Sequence, residues 1–504
     1  MPPAADSPDV PERAPGNPDP LPAWRQAIFE RLERAGRFRV AVLVTALAGM
    51  FATSFPITIL TVSLAPIADE FGAAETTIAW VIAAPMLLSA VFFPLLGKLG
   101  DLRGHRQIFL AGFAAATGVA ALTALAWDAA SLIGFRTAAA ILGGATQPTS
   151  MALIFSVYPP EERVRAMGWW SMTTAAAPAL GLAVGGPLVD LFGWRIVFLL
   201  QAGLSLGALA MAYAVLHETP RKAVRFDLAG SLALAIGIGG AMFALGSLRD
   251  PMASGERIAA SLALGTLGLL GFVWIERRVP DPLLPLEFFR ARNFSATLLT
   301  NATTSAGYMG AFVIAPLFLF HLGFSATTAS FLILLRTATL TLSSPLGGRL
   351  GERVGERVAA VGGCTLMTLG LALTAWAASL SSVELFMLGL IGQGAGHGLS
   401  QPSITAAISR SVDESDLGIA AAANRLMGQG GAAFGITLLT LAYGGVKSAD
   451  AFALAFGVGA LLSALSVLTA LFMGRQHITL ARTAAPAAQV DTPFPTSRST
   501  SNPR

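Results

Sequence analysis

Charge is scarce along this 504-residue chain: Asp, Glu, Lys and Arg together supply 12%, about half the share of a typical soluble domain. Cysteine is nearly missing. The one present, Cys364, sits inside an apolar run, which excludes a disulfide framework and a cysteine-ligated metal site. The five histidines are scattered, so they do not supply the converging His, Asp and Glu cluster of a membrane-embedded enzyme. The glycine run Gly392-Gln-Gly394-Ala-Gly396-His-Gly398 lacks the Lys-Ser/Thr ending of a phosphate loop, and nothing else offers an ATP site. Residues 1–23 have no hydrophobic stretch and read as a disordered Pro- and Asp-rich tail, not a cleavable signal. What abounds is apolar sequence, 54% of residues with mean hydropathy +0.66, more than one soluble core absorbs. The net charge of +4 is spread over short loops, which argues against a nucleic-acid partner and for a lipid bilayer.

A spanning helix needs roughly 20 mostly apolar residues. Fourteen segments qualify: 39–65, 77–97, 107–127, 131–157, 166–189, 195–216, 228–247, 257–275, 294–320, 326–346, 358–379, 384–408, 418–443 and 450–473. The expected fold is an all-α integral membrane protein with connections too short for a soluble domain. Placing the N-terminus in the cytoplasm puts 26 of the 33 lysines and arginines in the tails and cytoplasmic loops. Among them are Arg163, Arg165, Lys222, Arg225, Arg277 and Arg278. The positive-inside rule then predicts a multi-pass protein of the bacterial plasma (inner) membrane with both termini cytoplasmic. Ahead of the first span, Trp24, Ile28 and Leu32 share one helical face, fitting either a short amphipathic helix on the membrane surface or a solvated helical tail.

The chain repeats itself. Gly72-Ala-Ala-Glu-Thr76-Thr77 and Pro94-Leu-Leu-Gly97-Lys-Leu99-Gly100-Asp101-Leu-Arg103-Gly104-His-Arg106 recur 251 residues later as Gly323-Phe-Ser-Ala-Thr327-Thr328 and Pro345-Leu-Gly-Gly348-Arg-Leu350-Gly351-Glu352-Arg-Val-Gly355-Glu-Arg357. The register holds for 35 residues, 11 of them identical. A second echo pairs Gln147-Pro148 with Gln401-Pro402. The expected organisation is a tail (1–38), an N-terminal six-helix bundle (39–216), a two-helix insert with its loops (217–293), a C-terminal six-helix bundle (294–474) and a disordered cytoplasmic tail (475–504). Duplicated membrane halves place a substrate site between them near the midplane in many secondary transporters.

The Gly97–Arg106 segment resembles the loop 2–3 signature of the major facilitator superfamily. Leu132-Ile-Gly-Phe-Arg136 with Pro148 resembles the arginine-bearing motif of proton-driven exporters, with Ala139-Ala140 where Gln-Gly is usual. Gly181-Leu-Ala-Val-Gly185-Gly186-Pro187 resembles the antiporter motif, with Leu182 where a proline commonly follows the first glycine. Together with Asp190, Trp194-Arg195, Asp227, Glu276 and Gly430-Gly431 through Gly435, these are similar to the fourteen-helix drug:proton antiporter branch, the QacA/EmrB-like group. The resemblance covers about residues 39–474. It implies a major facilitator fold of two six-helix bundles plus two inserted helices. It implies a latch at Gly97, Asp101, Arg103, Gly104 and Arg106, repeated at Gly348, Glu352, Gly355 and Arg357, that helps hold an outward-facing state. The bland alternative is a cytoplasmic turn with positive-inside arginines. A pivot at Gly181, Gly185, Gly186 and Pro187 follows from the same likeness. Pro56 replaces the acid this branch usually carries in helix 1, so cation or proton binding there does not carry over.

Ionisable groups inside a span are functional candidates because burying them is costly. No carboxylate lies near the middle of any predicted span, but Arg136 and Arg336 do lie within spans. Arg336 either lines an electropositive cavity for anionic or zwitterionic substrates or bonds to backbone carbonyls. Gln393, His397 and Gln401 form a polar stripe at four-residue spacing. His397 is a candidate for the proton path or a neutral histidine satisfied by its glutamine neighbours. Asn424, Arg425 and Gln429 join the list, with Arg425 set aside as close enough to the membrane edge to snorkel. The sequons at Asn293 and Asn301 fall at or within the membrane and are discounted. The sequence therefore predicts a secondary transporter without cofactor or metal, exporting amphipathic compounds by alternating access. Protons as coupling ion are implied by resemblance alone, and a periplasmic adaptor is left open. The rival expectation is a dedicated exporter of an endogenous lipid-like or anionic metabolite.

Overall fold

A computed structural model describes residues 22–221, 227–249, 254–279, 282, 286–412 and 417–474. Most of both expected tails, and Lys222, Arg225 and Phe226 at the edge of the insert, lie outside the described residues. Every regular element among those described is helical. After α1 (Ala23–Arg34), the first half runs α2 (Phe38–Ser54), α3 (Pro56–Phe71), α4 (Glu75–Ile78), α5 (Trp80–Arg103), α6 (His105–Thr123), α7 (Ala129–Gly143), α8 (Thr146–Val157), α9 (Pro160–Phe192) and α10 (Arg195–Val215). Then come α11 (Leu228–Gly246) and α12 (Gly255–Glu276). The second half is α13 (Arg292–His321), α14 (Ala326–Val354), α15 (Glu356–Ser379), α16 (Val383–Ser409), α17 (Leu417–Tyr443) and α18 (Ala449–Ala470).

Twelve helical stretches among the described residues are long and apolar enough to cross a membrane. Three of them contain breaks that the apolar runs did not reveal, one being the turn at Ala79 between α4 and α5 in the Glu75–Phe93 stretch. The Phe38–Phe71 stretch is interrupted at Phe55, where Pro56 opens α3 in the one helical position that tolerates a missing N–H. The Ala129–Val157 stretch breaks at Gly144. Short polar residues start several helices by accepting an orphan amide. Asp128 accepts from the Ser131 N–H at 2.7 Å, and Ser254, Ser325, Ser382 and Ser448 do the same work for α12, α14, α16 and α18.

Within the first half, α2 packs on α8 and α10, α3 on α9, and α6 on α7 and α10. Within the second, α13 packs on α17 and α18, α15 on α16 and α18, and α14 on α16. A knot of rings fills the second half, with Phe318 and Phe386 centroids 4.8 Å apart and Phe452 5.4 Å from Phe318. The halves meet where α9 lies on α14, α5 on α17 and α3 on α13. The inserted hairpin is seamed by glycine: a Cβ added to Gly240 would sit 2.7 Å from the Gly265 nitrogen, so the backbones touch. In this pair α11 also touches α5 and α17, whereas α12 packs chiefly on α11.

The amphipathic segment before the first span does form a helix, α1, and it docks on α10 and α2. Its anchor is Arg25, 4% exposed, whose Nη2 donates to the Leu216 carbonyl at 2.7 Å. The guanidinium also lies over the rings of Phe29 and Tyr213. One terminal carbonyl left by α10 is thereby satisfied.

Candidate functional site: a cavity between the halves

The duplicated signature builds the same backbone twice. Gly104 and Gly355, equivalent in the repeat, turn between helices with φ of 97° and 91°, a region that favours glycine. Gly97 faces Pro148 and Gly348 faces Pro402, with an added Cβ 3.4 Å and 4.0 Å from the respective proline Cβ. Both echoes seen in sequence are thus one contact in space. The polar residues of the two turns differ more. Asp101 bonds to the His105 ring at 3.2 Å within its own turn, and Arg103 is exposed. Arg106 donates to the Tyr213 carbonyl at 3.3 Å and lies over its ring. In the second turn Glu352 is exposed and Arg357 half-buried, while Glu356 pairs with Arg410 at 3.2 Å.

Sequence reasoning missed Glu218, a loop residue with no periodicity to mark it. Its carboxylate accepts from the Arg106 N–H at 3.1 Å and fills the space over Gly104, so that a methyl there would fall 2.6 Å from Glu218 Cδ. Thr219 adds a second cap by accepting from the His105 N–H at 3.0 Å. The loop after α10 therefore holds the α5–α6 turn. Glu218→Ala leaves an N-terminal amide of α6 unpaired and is expected to cost about 1 kcal/mol. Thermal unfolding of the purified protein measures it, and an unchanged midpoint would remove Glu218 from this role. Beside it, His217 bonds to Ser156 at 2.9 Å. Burial, then the neighbouring Arg106 charge, pushes this imidazole below its ordinary value.

The opposite end of the molecule is closed by contacts between halves. Asp190, at the end of α9, accepts from the backbone amides of Ala326 at 3.2 Å and Thr327 at 2.8 Å, and from the Thr327 hydroxyl at 2.6 Å. A carboxylate on the first turn of α14 is favoured by the unpaired amides there. Gly186 brings the helices together: an added Cβ would fall 2.6 Å from the Ala326 oxygen. Gly181 and Gly185 instead face Phe55, Thr58 and Ile59 of the first half. Pro187 lies inside α9 without ending it. Glu75 adds a second clasp, accepting from Tyr443 at 2.8 Å and pairing with Lys447 at 3.4 Å.

Between this seal and the α5–α6 turn lies a cavity of about 1710 Å³, whose lining runs from Leu60 and Val81 to Lys98, Asp101 and His105. Arg136, 4% exposed, lines it from α7 with its guanidinium 5.6 Å over Phe198. Asn424 lines it from α17 and is bonded by the Asn301 amide, whose Nδ2 lies 2.9 Å from the Asn424 carbonyl. Gln401 donates to Asn301 at 3.3 Å. Asn301, discounted as a sequon, is thus the centre of a polar cluster on the cavity wall. Arg425, set aside as a snorkelling cation, lines the cavity with its guanidinium 4.4 Å over Phe93.

The expected stripe of Gln393, His397 and Gln401 is divided, and Arg336 stands back from the cavity. Gln393 turns toward α15, donating to Thr374 at 3.2 Å. His397 lines the cavity and lies parallel to the Tyr308 ring, centroids 4.0 Å apart. Arg336 lies 3.5 Å over Tyr308, necessarily on its other face, and donates to the Tyr308 carbonyl. The order is guanidinium, phenol, imidazole, so Tyr308 stands between Arg336 and the cavity. Among the described residues no group of three His, Cys, Asp or Glu gathers to hold a metal ion.

A largely apolar cavity with a few polar groups, set between two helical halves, has the character of a small-molecule site. Comparison with known proteins agrees. The chain is 28% identical over 366 residues to the multidrug resistance protein Stp of Mycobacterium tuberculosis, covering 71% of this chain and 67% of that protein. It is 26% identical over 412 residues to the multidrug transporter protein MdtP of Bacillus subtilis, covering 80% and 74%. The fold matches the crystal structure of a bacterial homologue of the human lysosomal transporter Spinster, with TM-score 0.60 at 17% identity, over 86% of this chain and 95% of that one. The sequence pattern of the Major Facilitator Superfamily matches residues 46–231 and 297–500, one block in each half. This chain belongs to the Major Facilitator Superfamily and is a membrane transporter, not an enzyme.

Proposed function

We propose that this protein exports amphipathic drugs or toxic compounds from the cytoplasm by alternating access, coupled to proton entry. The observation that carries the reading is the cavity: it reaches the α5–α6 turn at one end and is sealed at the other by Asp190, Gly186 and Glu75. The lysine and arginine distribution puts that turn in the cytoplasm, which makes this geometry the loading state of an exporter. The names of Stp and MdtP support drugs as cargo. In this state Asp101 bonds within its own turn, as a released latch would.

The same reading takes α9 and α16 as two further spans, making fourteen. Their lengths of 33 and 27 residues support it, as does the apolar stretch Ala176–Phe192 within α9. It takes residues 39–216 and 294–474 as the two moving bundles, 217–293 as the insert, and both termini as cytoplasmic in the inner membrane. His397, the histidine deepest along the cavity wall, is the proposed proton carrier.

The test is proton flux in proteoliposomes. Adding a fluorescent amphipathic substrate should draw protons across the membrane opposite to the substrate. His397→Gln should retain substrate binding and lose the proton signal by tenfold or more. Substrate movement with no accompanying proton current would overturn the coupling.

A further inference from the structure

We infer that the cavity selects amphipathic molecules with an anionic head, which Arg136 and Arg425 hold from opposite halves; this rests on the export reading above. Both guanidiniums line the cavity. Arg136 is 4% exposed, and its Nε is buried without a hydrogen-bond partner. Among the described residues, neither arginine makes a hydrogen bond or an ion pair with another side chain; each only rests on a ring, Phe198 or Phe93. An arginine stays charged, and a guanidinium shielded from bulk water without a counter-charge is unfavourable. An anion in the cavity removes that imbalance.

The surrounding charges point the same way. Lys98 lines the cytoplasmic mouth, and the single carboxylate among the described lining residues, Asp101, is already shared with His105 at 3.2 Å. A cation entering would meet like charge at depth with no carboxylate to receive it. A carboxylate, sulfonate or phosphate offers oxygens that match the planar guanidinium fork. Phe93, Pro85, Met86 and Met309 supply apolar wall for the body of the molecule. The two arginines come from α7 and α17, so each half of the molecule contributes a positive charge to the cavity.

The test compares naphthalene-2-sulfonate with its trimethylammonium counterpart, one aromatic body with opposite heads. Binding to the purified full-length protein is measured by titration calorimetry against protein-free micelles. The sulfonate should bind at least tenfold more tightly than the ammonium. Arg136→Gln and Arg425→Gln should each weaken the sulfonate about tenfold and leave the ammonium equal or stronger. Arg136→Lys and Arg425→Lys, which keep the charge, should fall between and guard against misfolding, as should a monodisperse elution profile. Equal or tighter ammonium binding overturns the proposal, and so does sulfonate binding that a folded double Gln variant leaves intact. Arginine-dependent sulfonate binding with no transport of either probe would sink the export reading instead and leave this one standing.

Discussion

Gly186→Leu is expected to reduce export at least tenfold while the protein still folds. The position is buried on α9, and the first added carbon would fall 2.6 Å from the Ala326 oxygen and 2.8 Å from the Thr327 Cα. Those atoms are backbone, so no rotamer change relieves the clash, and overpacking of this kind costs about 1–3 kcal/mol. The penalty applies when α9 and α14 are together, as here, and is lifted when they part. The substitution therefore shifts the population toward a form open at this end. Cys364 is buried, so a cysteine placed at Met86 on the cavity wall reports the shift cleanly. Labelling of Met86→Cys by an impermeant maleimide added outside cells should rise several-fold in the Gly186→Leu background. Asp190→Asn should act in the same direction and less strongly, because its carboxylate is exposed and screened. Undiminished export and unchanged labelling in Gly186→Leu would refute closure through this contact.

The second large effect separates two adjacent glycines. Gly431→Ala should lower stability by about 3 kcal/mol, since a methyl there would sit 2.7 Å from the Ala302 Cα. Gly435 meets Ala306 in the same way one turn later, so α17 lies backbone to backbone on α13 along a small-residue seam. Gly430 has nothing within 4 Å. Gly430→Ala should therefore be neutral or gain up to about 1 kcal/mol from helix propensity. Thermal unfolding and the monodisperse fraction on size exclusion distinguish them. Equal behaviour of the two variants would contradict the packing.

The same contrast shows what a sequence read one residue at a time can and cannot reveal. Apolar runs located twelve helices long and apolar enough to cross a membrane among the described residues, because lipid demands about 20 such residues whatever the neighbours are. The repeat located the paired turns, since glycine at 104 and 355 answers a local backbone requirement. Which side of a helix faces the cavity is a different matter. Gln393 and His397 share a sequence stripe, yet one reaches α15 and the other the cavity. Periodicity fixes angles about one axis and leaves the packing of that axis against others open. Arg336 was equally ambiguous. Only Tyr308, lying between it and the cavity, settles that its contact is a ring and a carbonyl. Depth and motif alone leave Arg425 and Asn301 without a role, and Phe93 and Asn424 from other helices give them their places. Glu218 acts on a turn more than 100 residues earlier in the chain, a distance no local pattern spans.

The inserted hairpin has a consequence for how cargo arrives. Because α11 bridges α5 and α17, it stands as a fence along one flank of the join. Greasy solutes partition into the leaflet before they meet a pump, and on that flank they would encounter a helix pair instead of a doorway. Approach from lipid is thereby obstructed on that one side of the join.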